Sequence, residues 1–161
     1  MRAFVILSLV IFQSCYSFKG ISIPDNIETY SVPFIEMTTP DAPPSINTLL
    51  QDKLILRINQ ESRLTNNEAN PDILIKTTLN RYRVQSVGAN ADNTVEANQL
   101  TISVKVEYTD YKNEENSWSK DFSNNRDFPT GTSLLSVQDQ LVDEIFDDIV
   151  EDIFNKAFTN W

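Results

Sequence analysis

The last quarter of the chain leaves the fold least freedom. Leu141, Val142, Ile145, Phe146, Ile149, Val150, Ile153, Phe154 and Phe158 recur at steps of three and four, and Asp139, Asp143, Asp147, Asp148, Glu151 and Asp152 fill the gaps. That spacing puts the apolar side chains in one stripe of an α-helix and the acids on its back. The pattern predicts a helix over residues 136–158, about 34 Å long at 1.5 Å per residue. Ser136 with Asp139 three residues on has the layout of a capping box. A stripe this long must be buried against a second layer of structure.

A second stripe lies earlier. After the breaks at Pro40, Pro43 and Pro44, Ile46, Leu49, Leu50, Leu54 and Ile58 recur at helical spacing. They predict a helix over residues 45 to about 62 with Ser45 as N-cap. The strands between and around these helices supply the apolar surface both need. Tyr30, Val32 and Phe34 alternate over residues 29–37, a first strand whose Pro33 confines it to an edge or a bulge. Residues 73–87 read as a long strand with Ile73, Ile75, Leu79, Arg81 and Arg83 on one face and Leu74, Lys76, Thr78, Asn80 and Tyr82 on the other. Leu100, Ile102, Val104, Val106 and Tyr108 alternate with Thr101, Ser103, Lys105, Glu107 and Thr109, which marks a half-buried strand with a polar outer face. Residues 88–98 read as a mobile connection, and Trp118 and Phe122 mark a fourth strand paired with the third across residues 112–116. The expectation is an α+β, two-layer sandwich: two helices packed on one face of a four-stranded, mostly antiparallel sheet, in the order strand, helix, strand, strand, strand, helix.

Residue types narrow the chemistry. With no histidine and one cysteine, a chain of 161 residues cannot build Ser-His-Asp or Cys-His arrangements or a His/Cys zinc site. Three glycines leave no phosphate-binding loop. A net charge of −10 opposes binding to nucleic acid, which needs clustered cations against phosphate. The acidic side of the last helix is the solvated back of an apolar stripe. The oxygen-rich stretches 90–96 and 121–127 lack the spacing and glycine of a calcium loop. No catalytic residue, metal site or cofactor follows from these patterns. Among the cations, Lys76 and Lys105 point to the polar sides of their strands and Arg126 stands between the fourth strand and the last helix. These three are candidates for holding a phosphorylated glycolipid headgroup, against the plainer reading that they balance neighbouring carboxylates.

The N-terminus reads as an address. Met1 and Arg2 precede an apolar run over residues 3–12 broken only by Ser8, and small Ser14 stands directly before Cys15. The run is too short to span a bilayer and has the layout of a secretory signal. Residues 1–14 are expected to be removed, leaving Cys15 to carry diacylglycerol and a further acyl chain such as palmitate. Residues 15–28 form a tether around Pro24, and residues 29–161 the folded domain. Cleavage takes Arg2 and no acid, so 13 basic residues become 12 against 23 acidic ones, a net −11. Such a body is repelled by anionic headgroups, so acyl chains, at about 0.8 kcal/mol per buried methylene, must hold it to the membrane.

The cysteine followed by Tyr16-Ser17-Phe18, the Thr29-Tyr30-Ser31-Val32 strand, the capped helix, the strands Arg81-Tyr82-Arg83-Val84 and Leu100-Thr101-Ile102-Ser103-Val104, then Val106-Glu107-Tyr108, Trp118-Ser119-Lys120-Asp121-Phe122 and the long final helix come in a familiar order. Over essentially the whole mature chain this resembles the LptE family, the lipopolysaccharide-assembly lipoproteins. The resemblance implies a non-enzymatic protein anchored on the periplasmic side of the outer membrane. It also implies a seat inside a large β-barrel partner, LptD, as a plug that supports barrel assembly and lipopolysaccharide delivery to the cell surface. A barrel wide enough to hold a domain has a polar lumen, which suits polar strand faces. The family's association with lipopolysaccharide through basic loop residues finds Asp92 and Glu96 but no Lys or Arg in residues 88–98, and Arg126 alone before the last helix. Two other classes stay open: an independent periplasm-facing lipoprotein binding another envelope component or lipid, and a lipid-anchored enzyme using Asp and Glu. A filled core with polar strand faces would favour the plug, an apolar cavity a lipid carrier, and a cleft with converging carboxylates catalysis.

Overall fold

A computed structural model describes residues 22–89 and 95–159; Cys15 and the signal region lie outside these residues. In chain order the elements are β1 (Thr29–Ser31), β2 (Glu36–Met37), helix α1 (Ile46–Glu61), β3 (Thr65–Asn66), β4 (Ile73–Ala89), β5 (Val95–Asp110), a 3-10 turn (Glu114–Asn116), β6 (Trp118–Pro129) and helix α2 (Leu134–Phe158). No helix among the described residues is long and apolar enough to cross a membrane.

The strands make one sheet in the order β3-β1-β4-β5-β6, with β2 also on β4. β4, β5 and β6 form an antiparallel meander, from Ile73↔Asp110 to Ala89↔Val95 in the first pair and from Tyr108↔Trp118 to Ala97↔Pro129 in the second. The short strands are parallel: β1 and β2 lie along β4, and β3 along β1. The expected four-stranded sheet is therefore six-stranded and mixed, in the order strand, strand, helix, four strands, helix. Two local causes account for the difference. Pro33, which has no N–H to give a ladder, separates β1 from β2 and breaks the single strand expected over residues 29–37. Phe34, counted in that strand's alternation, is 65% exposed, and Ile35 takes the buried place. β3 has two residues, too few for alternation to be legible.

Residues 88–98, expected as a connection, are for the most part a continuation of the β4–β5 ribbon, and only residues 90–94 lie outside the described part. Past the end of the helical layer a ribbon has no core face, so hydrophobic alternation is not required for pairing. Gly88, at φ 73, takes a left-handed backbone that a Cβ would disfavour.

Helix α1 covers the expected stretch, but Ser45 makes no side-chain capping bond; the turn Ile46 N–H to Pro43 O (3.2 Å) leads the chain in. α2 begins two residues earlier than expected. Ser133 holds the N-cap position, and Ser136 Oγ donates to the Ser133 carbonyl (2.7 Å), so the Ser136–Asp139 capping box does not form. The earlier start adds Leu134 to the side chains packed against the core.

Both helices lie on one side of the sheet, as expected. Leu50, Leu54 and Ile58 of α1, Ile145, Phe146, Ile149 and Ile153 of α2, and Ile73, Ile75, Leu79, Leu100, Ile102, Val104 and Val106 of the sheet are fully buried together. Each such side chain contributes roughly 1.5–3 kcal/mol on leaving water, and together they fill the space between the layers.

One irregularity decides which side chains reach the other side of the sheet. The β4–β5 register slips between Leu79 and Arg81, leaving Asn80 as an extra residue in β4. Before this bulge the odd-numbered residues Ile73, Ile75, Thr77 and Leu79 face the helices; after it Tyr82 does, and Arg81 and Arg83 face outward. Tyr82 is buried and its hydroxyl donates to Gln138 Oε1 of α2 at 3.1 Å. This corrects the uniform alternation expected along residues 73–87, which put both arginines on the core face and Tyr82 on the polar one.

Candidate functional site

The helices leave one face of the β4–β5–β6 meander uncovered, and its composition follows from the strict period of two along β5. Thr101, Ser103, Lys105, Glu107 and Thr109 point outward while their neighbours fill the core. The register extends each into a row across the sheet. Lys76, Glu107 and Ser119 form one row and Thr78, Lys105 and Asp121 the next. Beyond the bulge come Arg81, Ser103 and Ser123, then Arg83, Thr101 and Asn125, then Gln85, Gln99 and Asp127.

The two halves of this face differ electrostatically. Near the start of β4 the charges cancel: Lys105 Nζ lies 2.8 Å from Glu107 Oε1, and Lys76 Nζ 3.7 Å from Glu36 Oε1 of β2. The hydrogen bond between Lys105 and Glu107 holds the ammonium above its ordinary pKa and the carboxyl below its own. Asp121 Oδ1 accepts from Asn80 Nδ2 at 3.0 Å. Past the bulge the cross-strand neighbours of Arg81 and Arg83 are neutral, and one carboxylate, Asp127, lies in the row beyond. Ser103 Oγ donates to Ser123 Oγ (2.8 Å), which donates to the Ile102 carbonyl (3.2 Å), and Gln99 Nε2 donates to Asp127 Oδ1 (2.8 Å). A dip of about 310 Å³ lies among Asn80, Arg81, Ser103, Asp121 and Ser123.

Of the three cations singled out from sequence, Lys76 and Lys105 share this face in adjacent rows. Arg126 does not join them. It lies within β6, not in the connection after it, and points toward the helices. Its Nε donates to Glu144 Oε2 (3.2 Å), its Nη2 to Asp148 Oδ2 (2.5 Å), and its Nη1 to Asn124 Oδ1 (3.2 Å) and the Asn125 carbonyl (2.9 Å). The hydrogen bond to Asp148 is the first cause of a pKa above the ordinary guanidinium value. The helix pair has its own clamp: Lys53 of α1 bridges Asp143 (2.7 Å) and Asp147 (2.5 Å) of α2. Burial disfavours the Lys53 ammonium, and the bonds to the two aspartates outweigh it and raise its pKa.

The residues the sequence reading did not place on this face are Arg81 and Arg83. A signal existed: Tyr82 and Val84 alternate with the arginines out of phase with Ile73, Ile75 and Leu79, and a phase break between two apolar runs is what a bulge produces. Among the described residues no group of three or more Asp, Glu, Cys or His gathers as a metal site.

A two-helix layer on a mixed sheet is a fold found among bacterial lipoproteins. The model overlays uncharacterized lipoprotein B from Nitrosomonas europaea with a TM-score of 0.55 at 14% identity, covering 84% of this chain and 88% of that one. A minor lipoprotein from Acinetobacter baumannii gives 0.54 at 12% identity, over 81% and 91%. A hypothetical protein from Chlamydia trachomatis gives 0.53 at 7% identity, over 81% and 98%. At these identities the likeness is one of fold. No curated protein matches in sequence. The LptE family model, described as lipopolysaccharide-assembly, matches residues 27–157. The chain belongs to the LptE family, and its role is accordingly in lipopolysaccharide assembly and not in enzymatic catalysis.

Proposed function

We propose that the protein is an outer-membrane lipoprotein that plugs an LptD-like β-barrel and supports its assembly for lipopolysaccharide transport to the cell surface. In this reading residues 1–14 are a signal peptide, Cys15 bears the acyl anchor, and residues 15–28 lead to the domain from residue 29 on the periplasmic side; the last of them are already docked on the domain, with Ile27 buried in the core and the Pro24 and Ile27 carbonyls accepting from Arg63. The observation that carries it is the asymmetry of the domain. Side chains fill the space between helices and sheet, while five successive rows of polar residues cover the side no helix touches. A barrel lumen is a polar wall with side chains alternating in and out, and a flat, hydrogen-bonding strand face is its complement. A filled core also disfavours a lipid carrier, which needs a cavity for acyl chains.

Lys76, Lys105 and Arg126 are the proposed contacts for a lipopolysaccharide headgroup. Each is held by carboxylates, so a phosphate reaching them exchanges one ion pair for another. The test is purification of the tagged full-length chain from native outer membranes in mild detergent. Recovery of a large barrel protein in near-equal amount is expected. A lipidated chain recovered alone would replace the plug by an independent envelope-binding lipoprotein.

A further inference from the structure

We infer that Arg81 and Arg83, turned outward by the bulge at Asn80, form a receptor for two acidic side chains of the protein wall that lies against the sheet. The inference rests on the plug reading and adds to it the point of attachment and its chemistry.

The chain carries ten more acids than bases, so an uncompensated cation on it needs a cause. Among the described residues, every other Lys or Arg has a carboxylate or an aromatic ring against it: Lys53, Arg57, Arg63, Lys76, Lys105, Lys112 and Arg126 are in ion pairs, and Lys120 and Lys156 lie over Phe122 and Trp118. Arg81 and Arg83 have neither, and both are exposed. Their neighbours across the sheet are Ser103, Ser123, Thr101 and Asn125, none charged. Two acids border this part of the face: Asp121, engaged by the Asn80 amide and opposite Lys105, and Asp127, one row beyond Arg83 and engaged by the Gln99 amide. Were Asn80 paired as a regular ladder residue, both arginines would point toward the helices, so the bulge that leaves Asn80 unpaired is the device that places them here.

The dip beside Arg81 selects its occupant. A guanidinium offers a planar fork that matches a carboxylate bidentately. A phosphate would need donors on more than one side, and the two hydroxyl hydrogens at the floor are already used, Ser103 toward Ser123 and Ser123 toward the Ile102 carbonyl. Asp121 at the rim adds repulsion that grows with the charge of the anion. Two residues apart on one strand, Arg81 and Arg83 are about 6.6 Å from each other at 3.3 Å per residue. Acids at positions i and i+2 of a lumen-facing barrel strand have the same spacing and the same facing.

The test uses the tagged full-length chain in its native membrane, as wild type and as R81E/R83E, with a second variant carrying a photoreactive benzoylphenylalanine at Ser123. Both arginines are exposed and unbonded, so R81E/R83E is expected to melt as wild type does. It is expected to lower the barrel recovered by roughly tenfold or more, because like charges then face each other. The Ser123 probe should cross-link to a barrel peptide containing Asp or Glu. Wild type that brings no barrel overturns the plug reading and this inference with it. Wild type that brings the barrel while R81E/R83E brings it equally well overturns this inference alone, as does a probe that cross-links to glycolipid.

Discussion

Replacing Arg126 by alanine separates a structural guanidinium from a ligand-binding one. The side chain is 31% exposed, and its partners Glu144 and Asp148 are 43% exposed, so the two ion pairs are partly screened. Pairs in that setting are worth about 0.2–1 kcal/mol each, and the bonds to Asn124 Oδ1 and the Asn125 carbonyl add about 0.5–1.5 kcal/mol each at most. Water replaces part of what is lost, which leaves a net cost of about 2 kcal/mol. For a domain of this size that lowers Tm by about 6–8 °C. Thermal melts of Arg126→Ala, Asp148→Asn and the double variant form a cycle, with a coupling of about 1 kcal/mol expected because the two residues touch. Additive single effects, or an Arg126→Ala variant that melts with wild type, would refute the clamp. They would return Arg126 to the surface as a cation free for a phosphorylated ligand.

Ile149 is fully buried in the α2 stripe, so Ile149→Asp puts an unpaired charge in the core and should cost about 4 kcal/mol or more; an unchanged urea midpoint would mean the helix face is misassigned. Cys15→Ala should release the mature body into the soluble fraction with its melting temperature unchanged, and retention on the membrane would make a protein partner the anchor. The Asp72 carboxylate accepts from the backbone N–H of Glu28 (2.9 Å) and Thr29 (3.0 Å) and pairs with Lys112 (3.0 Å). The Glu28 bond leads the effects that hold its pKa well below the ordinary 3.8. A folded pKa below the unfolded one gives stability that is complete above about pH 4 and lost as pH falls further. Wild type should therefore lose more stability than Asp72→Asn between pH 4 and 2 in urea titrations, and parallel curves would remove Asp72 from the account.

The parts of the fold legible in the sequence are those where one face is buried and the other wet. β5 and α2 each carry an uninterrupted stripe, so burial imposes a period and the period is readable. β1, β2 and β3 are two or three residues long and are fixed by pairing with β4, which leaves no periodic trace. The far end of the β4–β5 ribbon reads as a connection because both its faces meet water. Alternation alone puts Lys76 and Lys105 on the outer face, since they precede the bulge or lie on the unbroken strand. It misplaces Arg81 and Arg83, because one inserted residue reverses every side chain after it. The extent of β6 was hidden by Asn124, Asn125 and Arg126, polar residues that read as a loop, although Asn124 donates to Asp148 of α2 (2.8 Å) from within the strand.

The same three residues bear on how such a domain can sit beside strands without joining them. β6 is the long edge of the sheet, and an open edge is a template for pairing with any nearby strand. At Asn125 both backbone groups are already answered: its N–H donates to Asn124 Oδ1 (2.7 Å), and its carbonyl accepts from Arg126 Nη1 (2.9 Å). On the opposite side β2 and β3 have two residues each, and among the described residues β4 beyond Leu79 has no strand beside it there. A plug held against a barrel wall by backbone ladders would compete with the barrel's own closure. A plug held by side chains on a polar face would not. On the plug reading, the answered backbone at Asn125 and the outward arginines at the bulge both favour contact through side chains over a backbone ladder.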